Sequence, residues 1–118
     1  MITFLCYSRC STCQKAGKWL EEKGVGHEAR DIKTAHLTLA ELTEWHKRSG
    51  LPLKKFFNTS GLLYKSMELK DKLPGMSEQE MLELLATDGM LVKRPILVGD
   101  DFVLVGFRPD EWSGKLEG

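Results

Sequence analysis

The opening stretch constrains the fold most. "ITFLCY", residues 2–7, is a short apolar run rich in strand formers and reads as a buried strand. Behind it, Cys13, Ala16, Gly17 and Leu20 recur at i, i+3, i+4 and i+7, one face of a helix that ends near Gly24. "HEARDI", residues 27–32, is a second, shorter strand candidate. Strand, helix, strand at this spacing predicts a parallel βαβ unit, because parallel strands need a crossover long enough to hold a helix.

The middle of the chain changes character. Thr38 and Glu41 form a capping box that opens a helix with an apolar stripe of Leu39, Leu42 and Trp45, and Ser49-Gly50 stops it. "LPLKKFF" reads as a short helix with Pro52 in its first turn. "NTSG" breaks the pattern, "LLYKSMEL" resumes it, and Ser77 with Glu80 caps a further helix through "MLELLA". Residues 38–88 are therefore expected to be all-helical. Two strand-like runs, "RPILV" and "FVLV", then flank "GDD" and predict an antiparallel hairpin. Pro109, followed by Asp110 and Glu111, suits the first turn of a last helix. The order predicts an α/β fold: a mixed four-stranded sheet with a helical insertion, in one domain spanning 1–118.

Two cysteines, Cys10 and Cys13, lie between the first strand and the first helix. They can bind a metal, brace the fold or do chemistry. The 17 basic and 17 acidic side chains cancel, which gives no global field for direct nucleic-acid binding or an anionic membrane. No apolar run approaches a membrane span, and "ITFLCYS" after Met1 has no basic segment, signal core or cleavage site. A cytoplasmic location is the expectation. Thiols are kept reduced there, and 3 cysteines cannot all pair internally. No second close cysteine or histidine pair completes a zinc site, and His27, His36 and His46 are scattered. No metal is expected, and redox chemistry or catalysis is the leading reading.

Position supports that reading. Cys10 falls at or just before the first turn of the helix, where unpaired N–H groups and the helix dipole favour a thiolate. Cys13, one turn later on the same side, can reach a sulfur adduct on Cys10. The spacing suits one attacking and one resolving thiol. Cys6, inside the strand run, reads as a small apolar core residue.

"YSRCSTCQKAGKWL", "KKFFNTSGLLYK", "LLATDGMLVKRPILV" and "FVLVGFRPDEW" together resemble the arsenate reductase-like family of thioredoxin-fold proteins, nearly end to end. That family includes glutaredoxin-coupled arsenate reductases and Spx-type redox regulators that bind RNA polymerase. The resemblance implies a thioredoxin-like sheet, with Pro95 of "RP" in the cis form facing the nucleophilic cysteine. It carries the nucleophile onto Cys10 and two anion-binding arginines onto Arg94 and Arg108. Guanidinium groups beside a thiolate lower its pKa and grip an oxyanion in a bidentate manner. The family's third arginine, in the insertion, falls at Asn58 or its neighbours, which offer hydrogen bonds but no charge. Cys13 supplies an internal resolver, as in the Spx-type branch. The resemblance implies a thiol-dependent oxidoreductase acting on arsenate, another small oxyanion or a disulfide. No bound cofactor is expected, and glutathione with glutaredoxin, or the thioredoxin system, would serve as electron donor. The alternative it implies is a redox-switch regulator docking on RNA polymerase.

Overall fold

The computed structural model describes residues 2–116, so Met1, Glu117 and Gly118 of the expected domain lie outside the described residues. Four strands form one sheet: β1 (Thr3–Cys6), β2 (Glu28–Asp31), β3 (Ile96–Val98) and β4 (Val103–Val105). Their spatial order is β2-β1-β3-β4. β1 runs parallel to β2, with Phe4 opposite Ala29, and antiparallel to β3, with Phe4 opposite Leu97. β3 and β4 form the hairpin expected around "GDD", closed by Gly99 N–H donating to the Phe102 carbonyl at 2.9 Å. The arrangement is the thioredoxin-like mixed sheet anticipated above.

Alternation along the strands builds two apolar layers. Phe4, Leu97 and Leu104 face one side, where α1 (Ser11–Glu22) contributes Ala16 and Leu20 and α6 (Pro109–Leu116) contributes Trp112. Leu5, Ile96, Val98 and Val103 face the other and meet the insertion's Leu42, Trp45, Phe56, Phe57 and Leu85. β3 is buried throughout because it is flanked by strands and covered on both faces.

The insertion is helical, but more broken than its sequence suggests. α2 (Leu39–Ser49) and α5 (Glu78–Leu85) both begin with complete capping boxes, at Thr38/Glu41 and Ser77/Glu80. Leu39 does not join the buried stripe. It is 37% exposed, because it occupies the first helical position while Leu42 and Trp45 turn inward. "LPLKKFF" forms a 3₁₀ turn, Leu53–Phe56, with Pro52 at its N-cap rather than inside it. "LLYKSMEL" is two short helices, α3 (Leu62–Ser66) and α4 (Leu69–Lys72), separated by Glu68 at φ 53°. No helix among the described residues is long and apolar enough to cross a membrane.

Two further features place the functional residues. Lys93 N–H donates to the Phe56 carbonyl at 2.8 Å, Asn58 N–H donates to the Leu91 carbonyl at 2.8 Å, and Phe57 bridges Val92. This lacing holds the 3₁₀ turn of the insertion beside the segment entering β3. Gly106, at φ 80°, then turns the chain out of β4, its N–H donating to the Pro95 carbonyl at 2.8 Å. A side chain there would be strained, which explains the glycine.

Candidate active site

Cys10 is the N-cap residue of α1, with extended backbone angles and no side-chain cap of its own. Its N–H is fixed by the Tyr7 carbonyl at 3.0 Å, and its carbonyl accepts from Gln14 at 3.0 Å. The sulfur is left to receive what the helix end offers. Partial burial pushes the Cys10 thiol up, but donors outweigh it: the Cys13 backbone N–H, the Cys13 thiol and the Arg94 guanidinium, whose charge also helps. The net direction is downward. This is the helix-terminus and cation environment that makes a reactive thiolate.

Cys13 moves the other way. It is buried in the first turn of α1. Burial pushes its thiol up to about 12; the Tyr7 backbone N–H, 3.4 Å from the sulfur, opposes this, while the hydrogen bond and charge of Cys10 reinforce it. Cys6, at the end of β1, is half-buried, and burial, then Asp31, then Cys10 raise its thiol. All three cysteines are free thiols in this structure. Of the three, only Cys10 is held ready to ionise.

The Arg94–Pro95 peptide is cis, and Arg94 is placed by three neighbours. Its guanidinium lies 5.2 Å from the Tyr7 ring centroid, donates to the Met90 sulfur at 3.9 Å, and acts on the Cys10 thiol, which its hydrogen bonding and charge lower. Arg108 is exposed at the start of α6, where its carbonyl accepts from Trp112 N–H at 2.9 Å.

Arg94 and Arg108 line one groove of about 650 Å³, with Thr12 of the first turn of α1 at its edge. Pro52, Phe57, Val105 and Phe107 supply apolar surface. Thr59, a neighbour of Asn58, lines it too, as do Lys54, Lys55 and Lys93, which the sequence reading did not single out. Their signal was the doublet "KK" and the Lys before Arg94, read there only as parts of a motif. Leu53 and Phe56 of the 3₁₀ turn are buried while Lys54 and Lys55 are exposed, so the doublet is turned outward.

Asn58 lies next to this wall, but its amide is occupied within its own turn. Its Oδ1 accepts from the Ser60 hydroxyl at 3.4 Å, and its Nδ2 packs where a Cβ on Gly61 would sit. Thr59, not Asn58, faces the groove. No cluster of histidine, cysteine or carboxylate side chains among the described residues can hold a metal ion.

The ArsC family model matches residues 5–114. The chain is 48% identical over 117 residues to the uncharacterised protein YusI of Bacillus subtilis, covering 95% of both chains. It is 28% identical over 112 residues to the global transcriptional regulator Spx of Staphylococcus epidermidis, covering 94% of this chain and 83% of that one. Among solved structures, a protein related to the ArsC family from Bacteroides fragilis superposes with a TM-score of 0.94 at 54% identity, covering 96% of this chain and 95% of that one. A possible arsenate reductase from Streptococcus mutans superposes at 0.87 with 42% identity, covering 96% and 98%.

Proposed function

The chain belongs to the ArsC family, and on that premise we propose that it is a cytoplasmic thiol-dependent oxidoreductase in which Cys10 attacks and Cys13 resolves. The observation that carries this is the placement of two thiols one helical turn apart, Cys10 at the N-cap of α1 and Cys13 buried in its first turn. Cys10 is held down by the Cys13 N–H, the Cys13 thiol and Arg94, and Cys13 is held up to about 12.

The chemistry follows from that pairing. With a disulfide substrate, the Cys10 thiolate attacks one sulfur, forms a mixed disulfide and releases the other half as a thiolate. Burial still raises the Cys13 thiol, but the adduct carries no negative charge on Cys10, so the repulsion from Cys10 that reinforces burial is gone. Cys13 then gives its proton to the leaving thiolate, attacks the Cys10 sulfur and expels the second half as a thiolate, which takes a proton from solvent. Two electrons pass from the cysteine pair to the substrate, which leaves a Cys10–Cys13 disulfide. A dithiol donor of the glutaredoxin or thioredoxin kind, or glutathione, returns the pair to the reduced state. A small oxyanion such as arsenate would be held by Arg94 and Arg108 while the same thiolate attacks it.

The test is turnover of arsenate and of oxidised glutathione by wild type, Cys10→Ser and Cys13→Ser. The reading requires that Cys10→Ser abolish whichever activity wild type shows.

The likeness to Spx favours one second reading, in which oxidation of the same cysteine pair alters docking to RNA polymerase. Pull-down of RNA polymerase by reduced and oxidised protein distinguishes it, since a switch requires the two forms to differ.

A further inference from the structure

We propose that the groove beside Cys10 is a subsite for the carboxylate-bearing half of a small disulfide, with Lys54, Lys55 and Lys93 holding its carboxylates. This deepens the oxidoreductase reading above and rests on it.

The chain as a whole carries a formal net charge of +0, yet Lys54, Lys55, Lys93, Arg94 and Arg108 line one groove against a single acidic residue, Glu111. None of those five cations pairs with a carboxylate among the described residues; the ion pairs there are Arg30–Glu41, His46–Glu78 and Arg48–Glu44. Cations left uncompensated in a cleft focus a field on it and attract anions. The chain has acids enough to neutralise them, and places those elsewhere.

Size then selects among anions. About 650 Å³ lies within the ~300–1,000 Å³ of sites that take drug-sized molecules. A tetrahedral oxyanion at Cys10 needs only Arg94 and Arg108 and leaves the Lys54–Lys55 wall empty. An extended ligand with separated carboxylates uses the whole groove, and its aliphatic parts can lie on Pro52, Phe57 and Phe107. Thr12, two residues after Cys10, and Arg94, whose charge acts on the Cys10 thiol, both line this groove, so a ligand seated along it brings its sulfur to the thiolate. The step is the disulfide exchange already written: Cys10 takes the half held in the groove, the other half leaves and takes the Cys13 proton, and Cys13 releases the held half as a thiolate that solvent protonates.

The experiment has a binding arm and a turnover arm. S-methylglutathione, an acidic peptide that cannot react, is titrated into Cys10→Ser protein by calorimetry. We expect binding that weakens roughly tenfold when Lys54→Gln and Lys55→Gln are added together, and that weakens with salt. In turnover by otherwise wild-type protein, oxidised glutathione should exceed cystamine, a cationic disulfide, roughly tenfold or more in kcat/KM. The lysine substitutions should slow the first and speed the second. The proposal is overturned if those substitutions leave S-methylglutathione binding unchanged, if inorganic phosphate displaces it at equal concentration, or if cystamine matches oxidised glutathione. Neutral hydroxyethyl disulfide separates the two levels of the claim. If it is reduced through Cys10 while the groove arms fail, only the groove assignment falls. If no disulfide is reduced, the oxidoreductase reading falls and the substrate assignment with it.

Discussion

Cys13 lies one helical turn after Cys10, the N-cap of α1, and beside the burial that raises both thiols, hydrogen bonding between them acts with opposite sign on each. It lowers Cys10, which accepts, and raises Cys13, which must keep its proton to donate. The two thiols are thus already inequivalent in the reduced protein, as the proposed attacking and resolving roles require. A C-x-x-C pair in a symmetric environment would have no such order.

The first prediction concerns thiol reactivity. The rate of Cys10 alkylation by iodoacetamide should titrate below the ordinary 9.0, because the Cys13 N–H and Arg94 outweigh partial burial. Arg94→Leu removes a charged hydrogen bond and should move that titration upward. Turnover near neutral pH should fall roughly ten- to a hundred-fold, the rate equivalent of about 1.5–3 kcal/mol. Peptide mapping of the alkylated protein identifies which cysteine reacts first.

The second concerns oxyanions. Thr59 faces the groove, whereas the Asn58 amide is engaged by Ser60 and Gly61. A positive charge added at Thr59 should therefore help an oxyanion more than one added at Asn58. Thr59→Arg is expected to raise arsenate turnover roughly ten- to a hundred-fold, and Asn58→Arg less. Initial rates on arsenate for the two variants decide it.

The third is a pH dependence of stability. Arg30 grips Glu41 with two hydrogen bonds, at 2.6 and 2.9 Å, and also donates to the Ala35 and His36 carbonyls, which ties the end of β2 to α2. Those hydrogen bonds from Arg30 outweigh partial burial, and with help from Thr38 they hold the Glu41 carboxyl down from 4.5 to about 2. A depressed folded-state pKa stabilises the protein above the unfolded value and is lost as pH falls through the folded one. The full linkage is about 3 kcal/mol, reduced to about 1–2 kcal/mol by solvent screening of a partly exposed pair. Glu41→Gln should lower stability at neutral pH and flatten its fall between pH 4.5 and about 2, as read by urea unfolding.

The fourth concerns packing next to the site. Gly89 presses on the chain leaving β2 so closely that a Cβ would lie 2.3 Å from the Ile32 carbonyl oxygen. Backbone cannot move aside as a side chain can. Gly89→Ala should destabilise by about 1–3 kcal/mol, measurable as a lower Tm.

Local signals carried most of the fold. Both capping boxes, the "GDD" hairpin and the period of α1 depend on residues a few positions apart, and all appear where the pattern put them. What escaped depends on long-range contact. Leu39 matched the apolar period but sits at a helix start and stays partly exposed. "LLYKSMEL" reads as one helix until Glu68 takes a left-handed conformation, which no residue there announces. The site divided in the same way. Cys10 and Cys13 are near in sequence and could be assigned together. The lysine wall forms only because the Phe56–Asn58 segment is hydrogen-bonded to Leu91–Lys93, across the whole insertion.

The most direct test of the central claim is to trap the intermediate. Wild type and Cys13→Ser are each treated with oxidised glutathione, quenched in acid and mapped by mass spectrometry. The account predicts that Cys13→Ser accumulates a glutathione adduct on Cys10, while wild type carries none and holds a Cys10–Cys13 disulfide with Cys6 free. An adduct on Cys6, or one that persists on Cys10 in wild type at the level seen in Cys13→Ser, would contradict the assignment of attacking and resolving thiols.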